Sequence, residues 1–140
     1  MVAAAGKPPG GAGGGVNALC LALVGGPLLA SIPADGFTLA WTHSVEHTEW
    51  REEWRIDGGR LHLTAARVKG GGAGVEPPPE SRLEGGWVVW RPHLPPQERV
   101  VLAASSYTQE HRLCIDDACR PLRAWLGSGG EGPIELRACS

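Results

Sequence analysis

Residues 37–56, FTLAWTHSVEHTEWREEWRI, contain the densest group of reactive side chains in the chain. The stretch includes three of the six tryptophans, and its two histidines lie among glutamates and arginines. An imidazole beside a hydroxyl and carboxylates suits nucleophilic or acid–base chemistry. His43, Ser44 and Glu52 are therefore the first candidates for a site, and the elements that carry them decide whether they can meet.

The stretch alternates between apolar and polar residues, which indicates β-strands. Residues 37–46 form one alternating row, and residues 50–56 form a second. Neighbouring residues of a strand point to opposite faces, so His43 and Ser44 cannot act together as a nucleophile and its base. The adjacency of His43 and Ser44, which suggests a catalytic pair, therefore argues against one in a strand.

A hairpin that turns at His47-Thr48 pairs the two rows in one register. That register places His43 opposite Glu52, on the apolar face that carries the tryptophans. A buried carboxylate needs a partner, and an imidazole can provide one. The structural interpretation, which we favour, is a satisfied pair that fixes the register. The functional interpretation is a cleft where both residues bind a ligand or perform acid–base chemistry.

The remaining sequence consists of short extended segments separated by turn residues. Asp57-Gly58 predicts another hairpin turn, and the next strand is predicted to direct Leu61, Leu63 and Ala65 to one face. Further strands are predicted at 18–24, 28–32, 87–90, 99–105, 111–115, 118–122 and 134–139, with a loop at 69–86 and a helical turn at 123–126. This pattern predicts an all-β fold, an antiparallel sandwich or barrel-like sheet built of short hairpins.

The chain length of 140 residues fits one domain. Residues 1–16 are rich in glycine and alanine and are predicted to be a low-complexity, disordered N-terminus, followed by a single β-rich domain at 17–140. The net charge of −2 gives no indication that the protein binds nucleic acid or a charged membrane surface. Glycines and a proline interrupt the apolar segment 17–33, so we interpret it as two strands rather than as an export signal or a spanning helix.

The glycine-rich segment GGGAG resembles a phosphate-binding loop only superficially. No Lys-Ser/Thr follows it, and the prolines at 77–79 exclude the helix that such a loop requires. The segment is either a loop whose glycines adopt positive φ or a nest of backbone N–H groups that binds an anion such as a solute carboxylate. The hypothetical ligand-binding residues are therefore His43, Ser44, Glu52, Gly70, Gly71, Gly72, Ala73 and Gly74.

The motif CIDDAC predicts a short hairpin with facing cysteines. If Asp116-Asp117 form its turn, Cys114 and Cys119 are a cross-strand pair with Cα atoms about 4.5 Å apart, close enough for a disulfide. The alternatives are two reduced, packed cysteines or part of a zinc site, and we predict no metal site. Cys20 and Cys139 lie in the first and last predicted strands, and they can pair if these strands are neighbours.

Several of these motifs occur together in one known family. FTLAWTHSVEHTEW with Glu52, ARVKGGGAGVEPP, a downstream GGW and LCIDDACRPL resemble the bacterial family catalogued as domain of unknown function 1850. The resemblance extends over residues 18–139, and its distinctive features are the HSV core and the glycine-rich loop. The family loop usually carries a polar residue and a methionine where this chain has Gly71 and Val75.

The resemblance implies a role in solute transport rather than an enzymatic activity. The family has no established activity, and its members are commonly encoded beside TAXI-type TRAP transporters, which import organic solutes. The implied function is a non-enzymatic accessory or solute-binding module, with a transporter or solute-binding protein as partner, a small organic solute as ligand, and no cofactor or transmembrane span. The alternatives are a metal-binding or hydrolytic protein that uses His43 and Glu52, and a structural partner of a membrane complex. The compartment is periplasmic if Cys114 and Cys119 are bridged, and cytoplasmic otherwise.

Overall fold

Short strands account for most of the structure, which is a computed structural model. It describes residues 17–42, 48–69, 78–102, 111–126 and 132–139, so the predicted low-complexity segment lies outside the described residues. The strands are β1 (Ala18–Leu23), β2 (Leu28–Pro33), β3 (Gly36–Thr42), β4 (Glu49–Asp57), β5 (Arg60–Lys69), β6 (Arg82–Glu84), β7 (Trp87–Trp90), β8 (Arg99–Leu102), β9 (Arg112–Ile115), β10 (Ala118–Pro121) and β11 (Ile134–Cys139). A 3₁₀ helix, Leu122–Trp125, follows β10.

The strands form two antiparallel sheets that pack together. Sheet A has the strand order β2-β1-β11-β8, and sheet B has the order β10-β9-β3-β4-β5-β7-β6. The core between them contains buried apolar side chains from both sheets, among them Leu19, Leu21, Ile134 and Leu136 from sheet A and Phe37, Leu39, Trp54, Ile56, Leu61 and Leu113 from sheet B. The predicted all-β antiparallel sandwich is confirmed.

The apolar segment near the start of the described chain forms the centre of sheet A. β1 has the sequence ALCLAL, and its first five residues are buried. A strand that is buried on both faces has a continuous apolar sequence. β1 pairs with β2 on one side and with β11 on the other, so the strand interpretation of residues 17–33 is confirmed.

The hairpin of β3 and β4 has a different register from the predicted one. Leu39 lies opposite Glu52, where the prediction placed His43. The predicted register requires a two-residue turn at 47–48, whereas residues 43–48 connect the two strands. The difference is four residues, an even number, so each side chain keeps its predicted face although its partner changes.

The hairpin of β4 and β5 turns one residue later than predicted. Asp57 pairs with Arg60, which leaves Gly58-Gly59 as the turn. Both glycines have positive φ, at 63° and 75°. Glycine adopts this conformation without steric cost, and two such residues form the tight turn that matches the twist of the flanking strands.

A β-bulge at Thr64 reverses the alternation in the second half of β5. The Thr64 hydroxyl donates a hydrogen bond to the backbone carbonyl of Glu53 at 3.0 Å. Beyond the bulge Ala66 and Val68 are buried, whereas Ala65 pairs with Glu53 on the outer face. The prediction that Ala65 shares a face with the leucines of β5 is therefore wrong, because a bulge adds one residue to the strand.

The predicted loop 69–86 contains a strand. Arg82–Glu84 form β6, which pairs with β7 through a turn at Gly85-Gly86. Three residues in a segment rich in proline and glycine are too few to show the alternation by which strands are recognised.

Two disulfides join neighbouring strands. Cys114 and Cys119 pair directly across β9 and β10, with Cα atoms 4.0 Å apart, as the CIDDAC motif predicts. Cys20 and Cys139 join β1 and β11, with Cα atoms 6.0 Å apart. The condition for the second pairing, that the first and last strands are neighbours, is met in sheet A.

Candidate functional site

Of the proposed ligand-binding residues, Glu52 lies in the described part of the chain, within β4. The others lie outside the described residues: His43, Ser44, Gly70, Gly71, Gly72, Ala73 and Gly74. β3 ends at Thr42 and β5 ends at Lys69, and both positions lie at the end of sheet B where β4 begins. The two segments that contain these residues therefore join sheet B at one end, close along β4 to Glu52.

Glu52 is half-buried on the inner face of sheet B. Leu39 lies beside it on β3, and Ala66 lies beside it on β5. The indole Nε1–H of Trp54 donates a hydrogen bond to Glu52 Oε1 at 3.3 Å. Burial raises the pKa of the Glu52 carboxyl above its ordinary value, and the hydrogen bond from Trp54 offsets part of this rise. A carboxylate has about four lone-pair positions, so Glu52 can accept further hydrogen bonds.

Aromatic rings from four strands or strand ends lie near Glu52 on this face. Trp41 and Trp50 are direct cross-strand partners and stack with their ring centroids 6.3 Å apart. Trp50 meets Trp90 of β7 edge to face at 6.2 Å, and Trp41 contacts His111 at 5.0 Å. Each of these rings is partly exposed. We call Trp41, Trp50, Glu52, Trp90 and His111 the aromatic end of sheet B.

Sequence reasoning finds part of the aromatic end. Alternation assigns Trp41, Trp50 and Glu52 to one face of one hairpin, which the structure confirms. Trp90 and His111 come from strands that are distant in sequence, and no local spacing connects them to Glu52. Only the strand order brings them to the same face.

The outer face of the same strands is an ion-pair network that sequence reasoning did not find. Arg67 Nε donates to Glu53 Oε2 at 2.6 Å, and the Arg67 guanidinium also lies 3.9 Å from Glu84. Arg82 donates a hydrogen bond to Glu84. This bond, with added attraction from the Arg82 and Arg67 charges, holds the pKa of the Glu84 carboxyl below its ordinary value. The alternation of charged residues in β4 is the signal that could have indicated this face.

Two shallow clefts lie on the outer face and share Glu53 and Thr64 in their walls. Their volumes are about 360 and 540 Å³. The larger cleft is lined by Arg67 and Arg82, which are engaged in ion pairs, and by Glu80, which lies 3.6 Å from His93. These clefts offer a solvated, charge-paired surface.

The described side chains of the aromatic end offer ring surfaces and a carboxylate to a ligand. Within the described ranges, no group of three His, Cys, Asp or Glu residues is placed to hold a metal ion. The cysteines are joined in disulfides, so the described residues contain no thiol nucleophile. No described segment forms a helix of the length and hydrophobicity needed to cross a bilayer.

A family model matches residues 37–122, which is more than half of the chain. Its description is Domain of unknown function (DUF1850). The chain belongs to the DUF1850 family. The DUF1850 match runs from β3 to the start of the 3₁₀ helix, so it contains almost all of sheet B, including Glu52 and the segments 43–47 and 70–77.

The family match confirms the resemblance and assigns no activity. No curated protein and no solved structure matches the chain. The function of this DUF1850 protein therefore rests on the chemistry of its own side chains.

Proposed function

We propose that this DUF1850 protein is a non-enzymatic binding module for a small organic solute, and that the aromatic end of sheet B contacts the solute. The placement of Glu52 carries the proposal. Its carboxyl is half-buried, accepts a hydrogen bond from the neutral Trp54 indole, and lies on the face that also presents partly exposed tryptophans. Aromatic surface with a small number of placed polar groups is the usual composition of a small-molecule site.

A panel of organic acids, amines, amino acids and sugars tests the proposal by differential scanning fluorimetry. A solute that binds only the folded protein raises its apparent stability by about 2.7 kcal/mol at a hundredfold excess over the dissociation constant. We expect at least one class to produce such a shift, and we expect Glu52→Gln to reduce it.

Glu98→Gln is the matched control, because Glu98 is an exposed residue before β8. It removes the same charge and is expected to leave the shift unchanged. The absence of a shift across the whole panel would contradict the proposal, as would a shift that both variants retain.

The proposal extends to an accessory role beside a TAXI-type TRAP transporter. Membership of the DUF1850 family supports this role through the gene neighbourhood that the resemblance implies. Purification of the tagged protein from its native host is expected to recover a transporter subunit or its solute-binding protein. Recovery of the protein without either partner, under conditions that retain other transporter complexes, would contradict the accessory role.

The proposal places the protein in an oxidising compartment such as the periplasm. Disulfides persist in such compartments, and the two cysteine pairs lie at bonding distance. A free-thiol count on protein from its native host is expected to find Cys114 and Cys119 protected. Reactive thiols at both positions would contradict the placement.

A further inference from the structure

One row of residues across sheet B places a small residue between a carboxylate and an indole. The register places Glu52, Ala66 and Trp90 side by side on β4, β5 and β7. Glu52 and Trp90 are separated by two strand spacings, about 10 Å, and Ala66 between them carries only a methyl group. The carboxylate and the indole therefore project from the same face on either side of a small side chain.

A second indole lies next to this row. Trp50 lies two residues before Glu52 on the same face, and its ring is nearly perpendicular to that of Trp90, at 86°. Both tryptophans lie outside the group of buried side chains that joins the two sheets, and both are partly exposed. In such a pair the edge of one ring meets the π-face of the other, and the exposed parts of both rings lie beside the row that contains Glu52.

Within the residues that the structure describes, no lysine or arginine side chain pairs with Glu52 or lies over the rings of Trp50 and Trp90. Arg51 and Lys69 lie over Trp87 on the outer face, at 5.1 and 4.9 Å from its ring centroid, and Arg120 lies over Trp125. No such cation lies over Trp50 or Trp90 among the described contacts.

The other poorly exposed carboxylates of the described chain have arginine partners. Glu53 pairs with Arg67 at 2.6 Å, and the buried Glu135 lies 3.5 Å from Arg99 and 3.8 Å from Arg137. Glu52 is absent from the ion pairs of the described residues. A half-buried carboxylate is costly to ionise without a cation, and a cationic ligand beside Glu52 would offset that cost.

We propose that Glu52, Trp50 and Trp90 together bind an alkylammonium group, with Glu52 as its counter-ion and the two indoles as cation–π partners. An ammonium within about 6 Å of an indole centroid is attracted by the ring quadrupole, and a carboxylate adds direct charge attraction. The same carboxylate repels an anionic solute. This inference rests on the proposed function and names the ligand class for that site.

A pair of probes with one shape and different charge tests the ligand class. Choline carries a quaternary ammonium, and 3,3-dimethyl-1-butanol is its uncharged isostere, with carbon in place of the nitrogen. Titration of each probe into the full chain, followed by calorimetry and tryptophan fluorescence, is expected to show choline binding about tenfold more tightly, the combined effect of cation–π and ionic attraction.

Variants of neighbouring residues separate a specific site from general surface attraction. Glu52→Gln is expected to abolish the preference for choline, whereas Glu53→Gln, one residue away on the outer face, is expected to preserve it. Trp90→Leu is expected to weaken choline binding, whereas Trp87→Leu is expected to have no effect. Circular dichroism of each variant confirms that it is folded, and the comparison of the two probes on the wild-type protein requires no variant.

The outcomes distinguish this inference from the proposed function. Equal affinity for the two probes, or equal loss in Glu52→Gln and Glu53→Gln, overturns the ammonium inference. If choline fails to bind and an anionic or neutral solute from the wider panel shifts the wild-type protein but not Glu52→Gln, the binding function stands and the ligand class is wrong. If no solute shifts the protein, both proposals are wrong.

Discussion

Glu52 and Glu53 are neighbours in β4 and have opposite surroundings. Glu53 points to the outer face, where Arg67 holds it in an ion pair at 2.6 Å. Glu52 points to the inner face, where it accepts a hydrogen bond from the neutral indole of Trp54 and lies beside Leu39. Strand alternation alone separates them. In this sheet the chemical role of a carboxylate depends on the face it occupies and not on the charges next to it in sequence.

The largest expected difference between the two faces concerns the residues opposite these carboxylates. Leu39 is fully buried, so Leu39→Ala is expected to lower the free energy of unfolding by about 2–5 kcal/mol. Thr38 lies on the outer face opposite Glu53, and Thr38→Ala is expected to change the free energy of unfolding by about 0.5 kcal/mol or less. Urea denaturation of both variants measures the contrast, and equal costs would show that the faces are wrongly assigned.

The Cys114–Cys119 disulfide tests whether the outer face can be altered without affecting the aromatic end. The bridge closes a loop with a sequence separation of 5. Loop entropy predicts that its removal by a double Cys→Ala substitution costs about 2 kcal/mol. Binding that depends on Glu52 is expected to persist, because Cys114 lines the outer cleft and pairs with Thr38 across the strands. Loss of binding in a folded double variant would contradict the separation of the two faces.

Removal of the outer carboxylate has a smaller expected effect. The Glu53 and Arg67 side chains are 38% and 29% exposed, so solvent screens their attraction. Glu53→Gln is expected to lower the free energy of unfolding by about 0.2–1 kcal/mol. The loss should shrink in high salt, which a denaturation series at rising ionic strength measures. A large loss that does not depend on salt would indicate a buried pair and would weaken the contrast with Glu52.

The pH dependence of stability should have opposite signs for Glu52 and Glu84. The pKa of Glu52 is raised in the folded protein, so its stabilising contribution is present below the ordinary glutamate pKa and is lost as pH rises through the raised value. The pKa of Glu84 is lowered, so its contribution is present above the ordinary pKa and is lost as pH falls.

Glu52→Gln and Glu84→Gln variants measure these two slopes. The free energy of unfolding of the wild-type protein relative to Glu52→Gln is expected to fall as pH rises from the acid range. Relative to Glu84→Gln it is expected to rise over the same range. Denaturation between the acid range and neutrality checks both, and slopes of the same sign would contradict the distinction.

Much of the fold could be predicted because it is encoded in local alternation and turn chemistry. The rows around Trp41 and Trp50 reveal the faces of β3 and β4, and CIDDAC reveals a hairpin with facing cysteines. The partners in the first hairpin could not be predicted, because they depend on how many residues connect the strands, and a two-residue turn at 47–48 was the simplest solution consistent with the pattern. An even error in register leaves the alternation intact, so the sequence signal against it is the turn itself, because His47-Thr48 is not preferred two-residue turn chemistry.

The candidate site was predictable only in part. Alternation identifies Glu52 as a carboxylate on the tryptophan face, but the bulge at Thr64 determines that Ala66 lies beside it. A bulge inserts one residue without a composition signal of its own. Trp90 reaches Glu52 through β5 and the seven-strand order of sheet B, which is a long-range property.

The fold separates Glu52 from the described ion pairs of sheet B and leaves its carboxyl in a half-buried aromatic setting. Titration of the glutamate side-chain carboxyl carbons by NMR tests this directly, with Glu84 as an internal reference. The structure predicts that Glu52 titrates above the ordinary pKa of glutamate, while Glu84 titrates below it. A Glu52 midpoint at or below the ordinary value would contradict the claim.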